Sequence, residues 1–258
     1  MLDVRPIPAF QDNYIWLLRG TRDPRAAAVV DPGDAAPVLR RLADDGLVLR
    51  AILATHHHAD HVGGVPRLVA DTGAVVFGPA RERLPADCAR VVGGDRARLD
   101  ALGLEFEVMD VPGHTAGHIA YVGHGALFCG DTMFSAGCGR LFEGTAEQML
   151  SSLDAFAQLP DDTRVFCGHE YTEANLRFAQ AVEPGNTDVT DYARKAAEIR
   201  ASGRPSLPSS IGLEKRVNPF LRSRNQNVRL SAERHAGRRL ATPVEVFAEI
   251  RSWKDGFR

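Results

Sequence analysis

The stretch Thr55-His56-His57-His58-Ala59-Asp60-His61 decides how the rest of this chain is read. Four imidazoles and a carboxylate fall within seven residues, in a 258-residue chain with nine histidines in all. The stretch directly follows the apolar run 49–53, so its side chains sit on a loop at the C-terminal end of a strand. Sheet proteins commonly build their sites there. Imidazole mixed with carboxylate suits Zn²⁺, Fe²⁺ or Mn²⁺, whereas Mg²⁺ and Ca²⁺ favour oxygen alone. His57, between candidate ligands, is expected to point away.

Three further segments repeat the arrangement: Pro112-Gly113-His114-Thr115-Ala116-Gly117-His118, Phe128-Cys129-Gly130-Asp131-Thr132 and Phe166-Cys167-Gly168-His169-Glu170. Each sets a His or Asp at or just past the end of an apolar run, with glycine beside it where the backbone must pass closely. One Gly-His alone is an ordinary turn. Four such segments in this order form the pattern of a metal site.

Composition supports a folded, water-soluble protein. The chain is 44% hydrophobic and 25% charged, which excludes disorder, and its glycines and prolines follow no period. No run reaches the roughly 20 apolar residues that span a bilayer. The start, Met1-Leu2-Asp3-Val4-Arg5-Pro6, lacks a signal peptide's basic and apolar regions. Four cysteines without a Cys-x-x-Cys pair exclude a thiolate zinc knuckle and point to a reducing, cytoplasmic compartment. The net charge of −2 hides an asymmetry: residues 212–258 carry eleven basic and five acidic residues. That tail is either a solvated face or an anion-binding appendage. Few aromatics and no long basic run argue against nucleic acid.

Runs at 15–18, 27–30, 49–53, 74–77, 106–109, 119–122, 126–129 and 164–167 predict strands. Thr145 and Gln148 form a capping box that opens a helix with Met149, Leu150, Leu153 and Phe156 on one face. From about Tyr171 strands give way to helices over 173–182 and 187–201, a loop over 203–227, and a last helix opened by Thr242-Pro243-Val244-Glu245. On that helix Val246, Phe247, Ile250 and Trp253 form an apolar face, while Arg251 and Lys254 project from neighbouring positions. Cys129 and Cys167 read as buried fillers and Cys138 as the thiol nearest solvent. His118 is expected to hydrogen-bond a ligand or the backbone, and His124 and His235 to lie on the surface. Asp31 is either a turn residue or an acceptor that orients a ligand imidazole.

The order His-x-His-x-Asp-His, Gly-His, Gly-Asp, Gly-His resembles that of the metallo-β-lactamase superfamily of binuclear metal hydrolases. Gln11-Asp12-Asn13-Tyr14, Cys138-Gly139-Arg140-Leu141-Phe142-Glu143-Gly144-Thr145, Gly168-His169-Glu170-Tyr171-Thr172, Glu183-Pro184-Gly185-Asn186, Pro208-Ser209-Ser210 and Asn218-Pro219-Phe220 sharpen the likeness to the hydroxyacylglutathione hydrolase (glyoxalase II) family, over essentially the whole chain. The resemblance implies an α+β fold: a metallo-β-lactamase αββα sandwich over residues 1–172, then a small C-terminal α-helical domain over 173–258 that contributes to glutathione binding. It implies two divalent metal ions per chain, zinc first, with iron or manganese as alternatives. His56, His58 and His114 would bind one ion, Asp60, His61 and His169 the other, and Asp131 would bridge them. Asp131 and Asp60 would act in catalysis with a metal-bound hydroxide.

The same resemblance assigns Arg140, Phe142, Tyr171, Arg251 and Lys254 to substrate binding. Arg140 stands where the family commonly has lysine. Phe142 stands where it often has tyrosine, which removes a hydrogen bond worth about 0.5–1.5 kcal/mol. The implied reaction is hydrolysis of an S-(2-hydroxyacyl)glutathione thioester, with S-D-lactoylglutathione foremost, to glutathione and D-lactate, in methylglyoxal detoxification. The implied protein is a cytoplasmic monomer without nucleic-acid or membrane partners. An iron-dependent persulfide dioxygenase would share the histidine motif but lack the Arg251/Lys254 helix. Another binuclear hydrolase, acting on nucleic acid, would account for the basic tail. A non-catalytic metal-binding module would hardly need seven ligands around an open site.

Overall fold

The computed structural model describes residues 2–257; Met1 and Arg258, the outer ends of the two expected domains, lie outside the described residues. The chain gathers into two compact units that are discontinuous in sequence. The first takes the chain up to Asp110 with Ala116–Gly130 and Phe166–His169.

In this unit β1 (Asp3–Ala9), β2 (Asn13–Arg19), β3 (Ala26–Val30), β4 (Val48–Leu53), β5 (Val75–Pro79) and β6 (Ala89–Val91) form one sheet in that order. β1 to β3 pair antiparallel, and β3 to β6 pair parallel. Helices α1 (Ala35–Asp45) and α3 (Val65–Thr72), with the one-turn α2 (Ala59–Val62) before α3, provide the crossovers. Val38 and Leu42 of α1 and Val65 and Leu68 of α3 join Leu17, Val29, Ile52 and Val76 in a buried cluster. That burial, about 1.5–3 kcal/mol for each large side chain, pins both helices to the sheet.

A second antiparallel array, β7 (Arg96–Leu99), β8 (Leu104–Asp110), β9 (Ile119–Gly123) and β10 (Ala126–Gly130), lies against the first sheet. Tyr121 on β9 donates its hydroxyl to the Ala54 carbonyl at 2.9 Å. Trp16 on β2 donates to the Cys167 carbonyl at 2.9 Å and packs edge-on against Phe166, centroids 4.9 Å apart. The two layers thus share aromatic side chains whose polar ends are satisfied by the facing backbone.

Every strand expected from the sequence forms. In this unit β1, β6 and β7 were not expected, and three two-residue strands of the second unit were not expected either. β1 contains Pro6 and Pro8 but takes the sheet's edge, opposite Trp16 and Tyr14. Missing N–H groups cost no ladder bond there.

The second unit comprises Val111–Thr115, Asp131–Val165 and the chain from Glu170. It opens with the hairpin β11 (Met133–Phe134) and β12 (Gly137–Cys138), then α4 (Ala146–Ala157), whose Thr145/Gln148 capping box is formed. The first residues of β13 (Arg164–Cys167) pair with β14 (Ser209–Ser210). Helices α5 (Thr172–Val182), α6 (Thr187–Ala201), α7 (Ile211–Val217), α8 (Gln226–Ala236) and α9 (Pro243–Gly256) follow. Phe178, Phe220, Phe247 and Trp253 make the aromatic centre of the last helices.

The expected loop over 203–227 is corrected, because α7 and the start of α8 lie within it. Ser210 caps α7 by accepting from the Leu213 N–H at 3.3 Å. Buried Glu214 then ties the helix down, accepting from Ser135 Oγ, the Ala136 N–H, Ser209 Oγ and Asn218 Nδ2. A seven-residue helix is too short to stand alone and is held by buried Ile211 and Val217 together with these tertiary polar bonds, which local periodicity does not reveal. The architecture is α+β, ending in helices. No helix among the described residues is long and apolar enough to cross a membrane.

Candidate metal centre and anion groove

In the first unit the histidines are held by oxygen acceptors at their outer nitrogens. β3 runs out at Asp31, whose left-handed backbone (φ 52°) is one that Asp tolerates better than most residues. Its carboxylate accepts from the Thr55 N–H at 2.8 Å, from Thr55 Oγ1 at 2.7 Å and from His61 Nδ1 at 3.1 Å. The Thr55 hydroxyl proton is therefore spent on Asp31. His56 Nδ1, 3.0 Å from the same hydroxyl, must be the donor in that pair. His169 Nδ1 likewise donates to Asp12 Oδ1 at 2.8 Å.

In the neutral imidazoles this proton count makes Nε2 the unprotonated nitrogen of His56, His61 and His169. The Nε2 atoms of His61 and His169 stand 3.3 Å apart, and two lone pairs cannot bond each other. Asp60 Oδ2 lies 3.5 Å from one and 3.4 Å from the other, steadied by Asn13 Nδ2 at 3.1 Å. His56 Nε2 faces His58 Nδ1 at 3.2 Å. Converging unprotonated nitrogens beside a carboxylate form the donor set of a borderline divalent cation, so these residues fit such an ion.

The second unit repeats the device. His114 Nδ1 donates to the Arg140 carbonyl at 2.9 Å, and its Nε2 stands 3.5 Å from Asp131 Oδ2. Gly139 permits this closeness: a Cβ there would lie 2.0 Å from the Asp131 carbonyl oxygen and 2.9 Å from His114 Nδ1.

The remaining histidines separate from the ligands. His57 turns to Glu82 at 3.0 Å, as expected. His118 donates to the Ile119 carbonyl at 3.0 Å and stacks on His56, centroids 4.5 Å apart. His235 pairs with Glu249 at 2.7 Å and stacks on Trp253, so it ties α8 to α9. Asp31 is the imidazole-orienting acceptor of its two alternatives. Sequence reasoning missed Asp12, which no spacing signals because 157 residues separate it from His169. It also missed the carbonyl of Arg140, which orients His114, having singled out that residue for its side chain alone.

On α9, Arg251 is buried; Nη1 donates to the Cys138 carbonyl at 2.8 Å and Nη2 to Asp255 Oδ1 at 3.0 Å. Cys138, expected nearest solvent, is therefore covered, and burial pushes its thiol up to about 11 despite the nearby guanidinium. Lys254 donates to the Ala174 carbonyl at 3.1 Å. Burial, with Arg251 and Arg177 adding to it, pulls Lys254 down to about 8. Arg140, Phe142, Ala248, Arg251 and Asp255 line a groove of about 470 Å³. Phe142 is exposed at its rim and meets the His114 ring edge-on at 5.3 Å. Tyr171 packs against Phe134 on β11 instead. Three of the five expected substrate residues thus meet at one groove.

Comparison with known proteins divides the chain at nearly the same place as the change from strands to helices. The metallo-β-lactamase superfamily model matches residues 10–87 and 89–169. The model of the hydroxyacylglutathione hydrolase C-terminus matches 170–257. Curated hydroxyacylglutathione hydrolases are similar along their whole length: that of Albidiferax ferrireducens is 56% identical over 257 residues, covering 98% of each chain. That of Nitrosomonas eutropha is 50% identical over 258 residues, covering 100% of each. Among solved structures, ETHE1 from Myxococcus xanthus superposes with a TM-score of 0.66 at 28% identity, covering 98% of each chain. TTHA1623, solved in a di-iron-bound form, gives 0.58 at 26% identity, covering 85% of this chain and 100% of that one.

Proposed function

Because the chain belongs to the hydroxyacylglutathione hydrolase family of the metallo-β-lactamase superfamily, we propose that it hydrolyses S-(2-hydroxyacyl)glutathione, with S-D-lactoylglutathione foremost, to glutathione and the 2-hydroxy acid. The observation that carries this reading is the groove in which Arg140 and Arg251 stand together beside Phe142. Two guanidinium groups on an otherwise half-apolar wall suit a peptide-like ligand bearing carboxylates.

The residues that would hold the ions are His56, His58 and His114 for one, Asp60, His61 and His169 for the other, and Asp131 for both. Zinc is the first choice, and the same nitrogen and oxygen donors accept iron or manganese. Divalent ions held there supply Lewis acidity to the thioester carbonyl and bring the pKa of a water toward about 7. The chain's own part is to orient and to bind. Asp31, Asp12 and the Arg140 carbonyl keep the imidazole lone pairs aimed. Arg140 and Arg251 hold a glutathione carboxylate, Phe142 closes the groove's rim, and Tyr171 and Lys254 flank the ligand. The departing thiolate is a good leaving group and needs no strong general acid. Residues 1–172 serve as the catalytic part, and 173–258 contribute to glutathione binding, in a cytoplasmic monomer; the free thiols Cys88, Cys129, Cys138 and Cys167 accord with a reducing compartment.

Hydrolysis of S-D-lactoylglutathione is to be compared with that of the same acyl group on a thiol lacking glutathione's carboxylates. Turnover of the first alone is expected. Equal rates would remove glutathione from the account, and turnover of neither by metal-loaded protein would overturn the hydrolase reading. Asp131→Ala is expected to abolish activity and lower metal content; full turnover would contradict its assignment to both ions.

A further inference from the structure

Asp255 is the counter-ion of two of the three cations assigned to the substrate, Arg140 and Arg251. Its Oδ1 lies 3.0 Å from Arg251 Nη2 and 3.5 Å from Arg140 Nε. Arg251 has meanwhile committed Nη1 to the Cys138 carbonyl, and its Nε is buried with no hydrogen-bond partner among the described residues. The Nε and Nη2 hydrogens share one edge of the guanidinium, the edge that grips a carboxylate with two parallel bonds. Asp255 engages only half of it.

Asp255 also stands where an α-helix disfavours a carboxylate. It is the penultimate residue of α9, at the negative end of the helix dipole. The helix dipole therefore does not account for its position, whereas its pairing with the two arginines, one of them four residues back on α9, does. Its side chain is 46% exposed. The carboxylate thus has room to swing into solvent.

We propose that Asp255 is a resident carboxylate that occupies the Arg140/Arg251 subsite in the ligand-free protein and yields it to a carboxylate of the incoming glutathione thioester. The inference rests on the groove being the glutathione site. The exchange forms no covalent bond. One carboxylate replaces another, Asp255 turns to water, and the ligand takes the Nε–Nη2 edge with two bonds where Asp255 made one. The internal competitor weakens substrate and product alike, so glutathione leaves the groove more readily than two arginines alone would allow.

The test is calorimetric titration of glutathione into the metal-loaded protein and its Asp255→Asn and Asp255→Ser variants, with thermal melts to establish folding. Removing one partly screened carboxylate from an arginine pair should tighten glutathione binding about two- to fivefold, with KM for the thioester falling in the same ratio. Unchanged or weaker binding in both folded variants would overturn the proposal, because Asp255 would then be holding Arg251 in place. Turnover without a gain in affinity would leave the hydrolase reading standing and remove the displacement. Tighter glutathione binding in a protein without turnover would do the reverse. Absence of glutathione binding in all three proteins would overturn the displacement.

Discussion

Asp31→Asn exchanges one oxygen for an amide while keeping the side chain's size and the backbone's tolerance, since Asn also adopts the left-handed region occupied at φ 52°. Asp31 receives three protons, with Thr55 Oγ1 and His61 Nδ1 sharing Oδ2. In the variant one oxygen still accepts from the Thr55 N–H, and an NH₂ faces the other two donors. His61 then relieves the clash by moving its proton to Nε2, the atom that faces His169 and Asp60. The Thr55 hydroxyl is freed to donate elsewhere, so the His56 tautomer is released as well. Loss of one such orienting partner costs about 10–100-fold in metal affinity, or about 1.4–2.7 kcal/mol. A donor left buried and unpaired takes about 1–3 kcal/mol from folding. The assay is metal content by atomic emission after equilibration in graded zinc buffers, with urea denaturation of metal-free protein alongside. Metal affinity within twofold of wild type and an unmoved denaturation midpoint would refute the tautomer argument.

Lys254 loses its charge near pH 8 in the folded chain but near the ordinary 10.5 in the unfolded one. KM for a carboxylate-bearing substrate should therefore climb as pH rises through about 8, while Lys254→Arg stays flat; parallel profiles would refute this. Stability moves the other way: between about 8 and 10.5 the unfolded chain binds more protons, so the unfolding free energy rises with pH across that window. Glu214→Gln should be nearly neutral by denaturation, because its amide can face the Ser135 and Ser209 hydroxyls, which rotate to accept. Glu214→Ala should cost about 1–3 kcal/mol for the Ala136 N–H it orphans, since Asn218 Nδ2 keeps the Phe134 and Gly137 carbonyls as acceptors. Cys138 should resist iodoacetamide at pH 8 until the protein is denatured, as mass spectrometry of the alkylated chain would show, since burial raises its thiol to about 11; labelling at Cys138 itself in the native chain would refute its burial.

The strands most legible in the sequence are those buried on both faces, such as β3 with all five residues buried. Their apolar runs are continuous, and nothing local competes with that signal. β1 was hidden by prolines that only an edge position tolerates, and α7 by a polar network whose partners lie up to 79 residues away. The ligand types were legible because loops after strands collect them in short motifs. Their orientation was not, because Asp12 and the Arg140 carbonyl act across the chain on histidines they do not adjoin. Arg251 and Lys254 were legible as a helical pair but not as buried groups. Asp255, one residue beyond Lys254, was passed over because an acid beside a presumed anion site looks out of place until its two arginines are seen.

The prolines of β1 have a consequence for how copies of this molecule meet. In an antiparallel edge strand every second N–H points outward, and a foreign strand needs that row as its template. Pro6 and Pro8 belong to one alternation and sit opposite Trp16 and Tyr14, so two successive donors of the outward row are missing. Strand addition at this border would begin with two gaps, which disfavours sheet extension between chains and the aggregation that follows from it.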